Sequence, residues 1–359
     1  MKERKNTRAM KPPIWRLVLE QLLLTGLVLC VFAMFHHVIP RMKLQKEGLP
    51  APVGTVEHHR DEEKSSENNN DSPGDSEESS PDSIPVNSDE PEPTEPVSEP
   101  WSVRFAEHFS DEPRWEDSSY SSPSVSVTIT KYYHPDRFPT TTYFVADIYL
   151  ADIHSFRTGL SPHGIFDVPM RIARENNAIL AINGDSMLTL EDGFLVRNGD
   201  IYKTMPNGGD LCVLYYDGTM VIYDPGTYTV DEILEQEPFQ IWQFGPSLLD
   251  ENGDPLSEFN TSEAMMPLHP RTAIGYYEPG HYCFVVVDGR QGEYSMGADM
   301  HSLAEIMSEL GCKSAYNLDG GGTSVMVFNG MKYNSQPSDR FVFDMVIITE
   351  PEETEDGSD

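Results

Sequence analysis

From residue 125 to residue 348 the chain runs in short apolar-polar alternations, broken by glycine, asparagine, aspartate and proline. Strand-like runs, some alternating with a period of two and some apolar throughout, predict strands, here at 125–133, 142–150, 178–182, 194–196, 211–216, 220–223, 241–244, 272–277, 282–287, 324–328 and 341–348. Asn198-Gly199 and Asp217-Gly218 are hairpin signals that join neighbouring strands by two-residue turns, so the middle of this region reads as an antiparallel meander. Helices are fewer. Asp167 can cap a segment through Asn176, and Thr229 with Glu232 forms a capping box before Ile233 and Leu234. Leu303, Ile306, Met307 and Leu310 recur at helical spacing within 298–310 and predict a helix with a core-facing stripe. Strand runs with interspersed helices indicate an α+β domain of mixed, largely antiparallel sheets with a few packed helices.

Upstream the pattern changes twice. A mostly apolar run, 17–39, matches one bilayer crossing in length. A signal peptide would have a shorter apolar region and then a small-residue cleavage site, whereas here His36, His37, Val38, Ile39 and Pro40 stand at the end of the run, so an uncleaved transmembrane anchor is expected. More bases precede the run than follow it, which places the N-terminus in the cytoplasm and the C-terminal domain outside a single-pass cell membrane. Residues 47–100 are rich in Ser, Pro, Glu, Asp and Asn and nearly lack aromatics, as does the tail at 350–359. Both read as disordered, and 47–100 as an acidic linker. This leaves 1–46 as tail and anchor and 101–349 as one domain with a real core.

Charge sharpens that division. The whole chain carries 59 acids against 25 bases, a net −34. Residues 1–46 hold nine bases and two acids, whereas 51–100 hold two bases and fifteen acids. The acidic balance disfavours nucleic acid as a partner, although a small phosphorylated ligand could bind where bases converge. Three cysteines outside the anchor are too few and too odd for a disulfide framework, and Cys212 and Cys283 lie in apolar runs as small buried hydrophobes.

Candidate chemistry clusters at element ends. Tyr316-Asn317-Leu318-Asp319-Gly320-Gly321-Gly322-Thr323-Ser324 follows the helix at 298–310. Consecutive glycines suit close backbone approach to a ligand or N–H groups turned toward an anion, while Asp319 could be acid, base or metal ligand. The plain alternative is a tight turn capped by Asp319. His269-Pro270-Arg271-Thr272-Ala273-Ile274-Gly275 sets Arg271 at the mouth of a strand, its planar fork suited to a phosphodiester oxygen pair. Val287-Asp288-Gly289-Arg290 ends an apolar strand in opposite charges, and Ile182-Asn183-Gly184-Asp185 ends another. A rim salt bridge or an Asn-Gly turn would explain each alone; together the four ends suggest one shared cleft.

The series Asn183-Gly184, Gly245-Pro246, Pro270-Arg271-Thr272-Ala273-Ile274-Gly275, Asp288-Gly289-Arg290 and Asn317-Leu318-Asp319-Gly320-Gly321-Gly322 resembles the phosphodiester glycosidase family over about residues 125 to 349. That family includes the lysosomal uncovering enzyme, which removes N-acetylglucosamine from a phosphodiester on mannose, and bacterial envelope proteins associated with exopolysaccharide. Thr323 stands where the family usually has Ser, and Ser186-Met187 replaces the aromatic residues usual after Asn-Gly. The resemblance implies hydrolysis of a sugar-1-phosphodiester in a phosphosugar or envelope glycopolymer. Arg271 would take the phosphate, with Arg290 and the N–H groups of Gly320, Gly321 and Gly322, and Asp319 or Asp288 would activate water or steady the oxocarbenium-like carbon. Asn183 would orient sugar or water. Gly184, Asp185, Gly245 and Thr323 complete the expected substrate contacts. No cofactor is required on this reading. One rival is metal-assisted phosphodiester hydrolysis with Asp185, Asp288 and Asp319 as calcium or magnesium ligands. The other is a non-catalytic glycan-binding or exopolysaccharide assembly protein.

Overall fold

The computed structural model describes Thr25 and residues 50–58, 99–134, 140–161, 166–335 and 340–351. In chain order the strands are β1 (Gly54–Thr55), β2 (Arg114–Trp115), β3 (Ser119–Ser121), β4 (Val125–His134), β5 (Thr141–Leu150), β6 (Phe156–Leu160), β7 (Leu180–Asn183), β8 (Gly193–Arg197) and β9 (Asp200–Met205). They continue as β10 (Leu211–Tyr215), β11 (Met220–Tyr223), β12 (Pro238–Trp242), β13 (Arg271–Glu278), β14 (His281–Val287), β15 (Ser314–Asn317), β16 (Met326–Phe328), β17 (Met331–Lys332) and β18 (Asp344–Ile348). The α-helices are α1 (Trp101–Arg104), α2 (Pro169–Glu175), α3 (Val230–Leu234) and α4 (Met300–Glu309).

Three antiparallel sheets share one core. Their orders are β1-β9-β8-β12-β10-β11, β15-β13-β14-β5-β4-β3-β2 and β17-β16-β7-β18-β6. Strand β14 shows how the sequence dictates this. Tyr282, Phe284 and Val286 face the central cluster, while Cys283, Val285 and Val287 face a second cluster with Leu303, Ala304 and Met307 of α4. A strand buried on both faces must be apolar throughout, which is why 282–287 has no alternation. The five-stranded sheet repeats the arrangement, with Leu180 and Ile182 inward and Ala181 against Ile172 and Ala173 of α2. In the six-stranded sheet, Val213 and Ile241 pack on Ile233 of α3. Each sheet thus turns one face to the shared core and the other to a helix. Each buried Leu, Ile or Met of those helices contributes about 1.5–3 kcal/mol by leaving water.

Local signals behave as their chemistry requires. Asn198 and Gly199 both take positive φ (55° and 83°) and join β8 to β9 as a tight hairpin. Asp217-Gly218 does not make a two-residue turn, because β10 and β11 are joined by 216–219 with Gly218 left-handed (φ 82°). The Thr229–Glu232 capping box is present. Helix α4 is capped by Asp299, which accepts the Ser302 N–H at 2.8 Å. Val168, not Asp167, is the cap of α2; Asp167 instead pairs with Arg171 at 3.1 Å. The strand expected at 241–244 begins earlier, at Pro238, and that expected at 341–348 begins at Asp344.

Part of the expected linker packs on the domain. Gly54 and Thr55 pair with Ile201 and Asp200, Val56 is buried, and His58 stacks on Tyr216 at 4.1 Å and meets Glu237 at 2.6 Å. Edge pairing needs only main-chain donors and acceptors, so polar composition around it is no obstacle. Residues 47–49 and 59–98, the apolar run apart from Thr25, and residues 352–359 lie outside the described residues. Among the described residues no helix is long and apolar enough to cross a membrane. Cys212, Cys283 and Cys312 are buried free thiols, as the apolar runs imply for the first two.

Candidate active site

Strands β14 and β15 both run antiparallel to β13, so their C-terminal ends and the start of β13 share one sheet edge. The end of β7 in the five-stranded sheet meets this edge through Asn183. Its Oδ1 accepts from Thr272 Oγ1 at 2.7 Å and from the Val325 N–H at 3.2 Å, and its Nδ2 donates to the Asp319 carbonyl at 2.6 Å. A second Nδ2 contact reaches the Gly184 carbonyl at 3.2 Å. With the amide buried and engaged on both sides, Asn183 fixes the Asp319 backbone.

The glycine loop is braced from within. The Gly320 N–H donates to Asp319 Oδ1 and the Gly321 N–H to the Pro270 carbonyl, each at 2.8 Å. Thr323 Oγ1 closes the turn on the Gly320 carbonyl at 2.7 Å. Two of the three N–H groups expected to face phosphate are therefore spent, as is the Thr323 hydroxyl. Gly321 has φ 68°, and a Cβ there would stand 3.1 Å from Arg290 Nη2, so the guanidinium of Arg290 lies directly over this glycine.

Two expected chemical residues have other roles. Arg271 is 3% exposed, and its guanidinium donates to the carbonyls of Ala298 (2.9 Å), Met265 (2.6 Å) and Pro267 (2.6 Å). It ties two loops to β13 instead of reaching for phosphate, and burial lowers its pKa to about 10. Asp288 is fully buried. Its carboxylate accepts from Tyr294 Oη (3.0 Å), Asn334 Nδ2 (2.8 Å) and the Ser335 N–H (3.0 Å), so it ties the loops at 294 and 334–335 to the end of β14.

Gly184, Asp185 and Gly245 are likewise interior. The Gly245 carbonyl accepts from Asn317 Nδ2 at 2.8 Å, and Asp185 pairs with Arg197 at 2.7 Å. Asp185, Asp288 and Asp319 thus have separate partners, and among the described residues no three His, Cys, Asp or Glu side chains are grouped to hold a metal.

What remains accessible is compact. Asp319 is partly exposed; burial pushes its carboxyl above the ordinary range, opposed by the Gly320 N–H, Thr323, Arg340 and Ser186. Ser186 Oγ lies 3.4 Å from Asp319 Oδ2. Arg290 is exposed, and its Nη2 meets His269 Nδ1 at 3.2 Å. His269 is held neutral by burial and by the nearby Arg271 and Arg290, so its Nδ1 accepts from the guanidinium. A carboxyl with a raised pKa beside a glycine-floored arginine is suited to proton transfer next to a bound anion. Sequence reading missed Ser186 and Arg340 as site residues; Ser186 was noted only as a departure after Asn183-Gly184, and no local motif marks Arg340. His269 lies within the Pro-Arg-Thr stretch and could have been found there.

Comparison with known proteins agrees with this architecture. A Bacillus subtilis (strain 168) protein, the SPbeta prophage-derived uncharacterized protein YomE, is 28% identical over 197 residues. That match covers 52% of this chain and only 30% of YomE. The catalytic domain of zebrafish N-acetylglucosamine-1-phosphodiester alpha-N-acetylglucosaminidase, solved in a form auto-inhibited by its pro-peptide, shares the fold with a TM-score of 0.52 at 20% identity. The superposition spans 64% of this chain and 84% of that one. Residues 176–349, which carry Asn183, Arg290 and Asp319, match the model of the phosphodiester glycosidase family, and it is to this family that the domain belongs.

Proposed function

We propose that the protein hydrolyses a sugar-1-phosphodiester at the anomeric carbon, with Asp319 as general base and Arg290 as the phosphate ligand. The observation carrying this reading is the partly exposed Asp319 carboxyl, raised in pKa, on the loop whose Gly321 floors the Arg290 guanidinium. Water attacks the anomeric carbon and gives a proton to Asp319, while the bond from that carbon to the phosphate oxygen breaks with its electron pair. A phosphomonoester leaves as a weak base, so the demands are a placed water and charge stabilisation more than proton donation. Arg290 supplies the charge, with Arg340 flanking Asp319 and neutral His269 orienting the guanidinium. Asn183 and Thr323 hold the loop, and Arg271 and Asp288 hold the edge on which it rests.

The substrate class follows the zebrafish relative's name, an N-acetylglucosamine-1-phosphodiester; the natural substrate we assign is an envelope glycopolymer or exopolysaccharide. The apolar run at 17–39 and its flanking bases support a single-pass anchor with the domain outside the membrane. No metal or cofactor is assigned. The test is release of free sugar and phosphomonoester from an N-acetylglucosamine-1-phosphodiester in oxygen-18 water. Label on the sugar supports the glycosidase reading; label on the phosphate overturns it in favour of attack at phosphorus.

A further inference from the structure

Beneath the Asn183–Ser186 corner lies a buried charge arrangement that the proposed chemistry does not use. Arg197 at the end of β8 faces two carboxyls, Asp185 Oδ1 at 2.7 Å and Asp344 Oδ2 at 3.4 Å, and all three side chains are sealed from solvent. The Nη1 of Arg197 is turned away to the carbonyls of Val196 and Ile241. Two carboxylates against one guanidinium would leave a net negative charge in the interior, with Asp185 Oδ2 and Arg197 Nε lacking hydrogen-bond partners. A single bound proton removes that charge, and burial together with the neighbouring Asp185 favours it on Asp344.

Both carboxyls also hold the turn above them. Asp344 Oδ1 accepts the Ser186 N–H at 3.1 Å, and Asp185 Oδ1 accepts the Met187 N–H at 3.0 Å. Gly184 rests on Asp344 so closely that a Cβ would stand 2.6 Å from the carboxyl carbon. Ser186 takes φ 57°, a left-handed conformation that serine adopts only when its surroundings impose it, and its hydroxyl is thereby aimed at Asp319 Oδ2.

We propose that Asp185 and Asp344 share one proton over Arg197 and act together as positioning residues, the protonated pair holding the 184–187 turn so that Ser186 donates to Asp319. This rests on the assignment of Asp319 as the reacting carboxylate. Among the described residues, Lys203 of β9, Cys212 of β10 and Tyr316 of β15 feel Asp185, and Tyr202 of β9 feels Arg197. Lys203 directs its ammonium to the carbonyls of Met187 and Leu190, bracing the same turn from outside. Asp319 itself faces Arg340, Ser186, Thr323 and the Gly320 N–H. Burial, and then Asp185, raises Asp344. The folded protein therefore keeps a proton that the unfolded chain releases. The resulting stability is complete below the unfolded pKa and is lost as pH rises through the folded one.

The test uses the full chain and its Asp344→Asn, Asp344→Ala and Ser186→Ala variants. Asn at 344 keeps the acceptor for the Ser186 N–H and offers an N–H where the proton was, so it copies the protonated pair; Ala removes both. Thermal stability followed from pH 5 to 9 should decline with pH more steeply in the parent than in Asp344→Asn. Carbon-13 NMR of labelled aspartate should place the Asp319 midpoint unchanged in Asp344→Asn and raised by roughly half a unit in Asp344→Ala and Ser186→Ala. Parallel unfolding curves for parent and Asp344→Asn overturn the shared proton. An unmoved Asp319 in folded Ser186→Ala overturns the positioning role, even where Asp344→Ala does not fold. Neither reading needs substrate, so absence of sugar release would reject the proposed function while leaving these outcomes decisive.

Discussion

Two loops leave the same edge of the seven-stranded sheet with nearly the same composition, Asp288-Gly289-Arg290 after β14 and Asp319-Gly320-Gly321-Gly322 after β15. In the first, the acid turns inward and the arginine outward. Asp288 takes three donors from Tyr294, Asn334 and Ser335 and is closed to water. In the second, the acid takes the N–H of its own neighbour and a long contact from Ser186, and stays partly open. The difference is one of occupancy. A carboxylate whose lone pairs are committed to protein donors organises chain, whereas one with a single strong local partner and a raised pKa has capacity left for a proton. The arginines divide in the same way, Arg271 spent on three carbonyls and Arg290 held by one neutral histidine.

The largest expected effect separates the two acids. Asp319→Asn should lower kcat by about 10²–10⁴ with the melting temperature nearly unchanged, as loss of a general base does. Asp288→Asn should instead cost about 1–3 kcal/mol of stability, because its new N–H₂ faces donors in a sealed site, while the folded fraction keeps turnover. Full loss of turnover in a stable Asp288→Asn protein would reverse the comparison. The pH profile sharpens it further. As the base, Asp319 is active when ionised, so activity should fall as pH drops through its folded pKa. Since burial raises that pKa from 3.8, the acid limb should lie above the ordinary carboxylate range. A limb at or below that range in the pH dependence of kcat/KM would remove Asp319 from the role.

The arginine pair comes next. Arg271→Ala leaves three carbonyls without their charged donor, and an unfolding titration should show a loss of about 2–4 kcal/mol. Arg290→Ala should leave the melting temperature in place and lower kcat/KM by roughly 10–100-fold, as removal of one charged hydrogen bond to an anion does in a partly wet site. If the two variants exchange these behaviours, Arg271 is the phosphate ligand after all.

How far the sequence foretold this division is instructive. Period-two runs located most strands, and the Asn198-Gly199 turn, the Thr229–Glu232 box and the Leu303-Ile306-Met307 stripe are local devices that act as their chemistry dictates. The polar residues at strand ends were legible as a group because an apolar strand that stops in charge must stop at a boundary. Which of them faces a ligand was not, since the donors that close Asp288 arrive from 334 and 335, and the carbonyls that occupy Arg271 from 265, 267 and 298. The short strand at Ser314–Asn317 was missed because its last two residues, Tyr316 and Asn317, were read into the glycine-loop motif. Pairing of Gly54 and Thr55 with β9 was missed because it uses backbone alone.

The smallest effect isolates the loops from their acids. A Cβ at Gly289 would stand 2.7 Å from the Pro270 nitrogen and 3.0 Å from the Gly297 Cα, both backbone atoms that cannot give way. Gly289→Ala should therefore cost about 1–3 kcal/mol of stability by overpacking. At Gly321 the obstacle is the mobile end of Arg290, 3.1 Å away, and the φ of 68° adds about 1 kcal/mol for any L side chain. Gly321→Ala should accordingly lose about 1 kcal/mol in stability, less than Gly289→Ala, and its main effect should be on binding. The methyl group lifts the guanidinium off its floor and away from His269, so KM should rise about threefold while kcat holds, because Asp319 and its water are not displaced. A fall in kcat with unchanged KM would mean that the glycine loop shapes the base and not the phosphate site, and the contrast between the two loops would then rest on Asp319 alone.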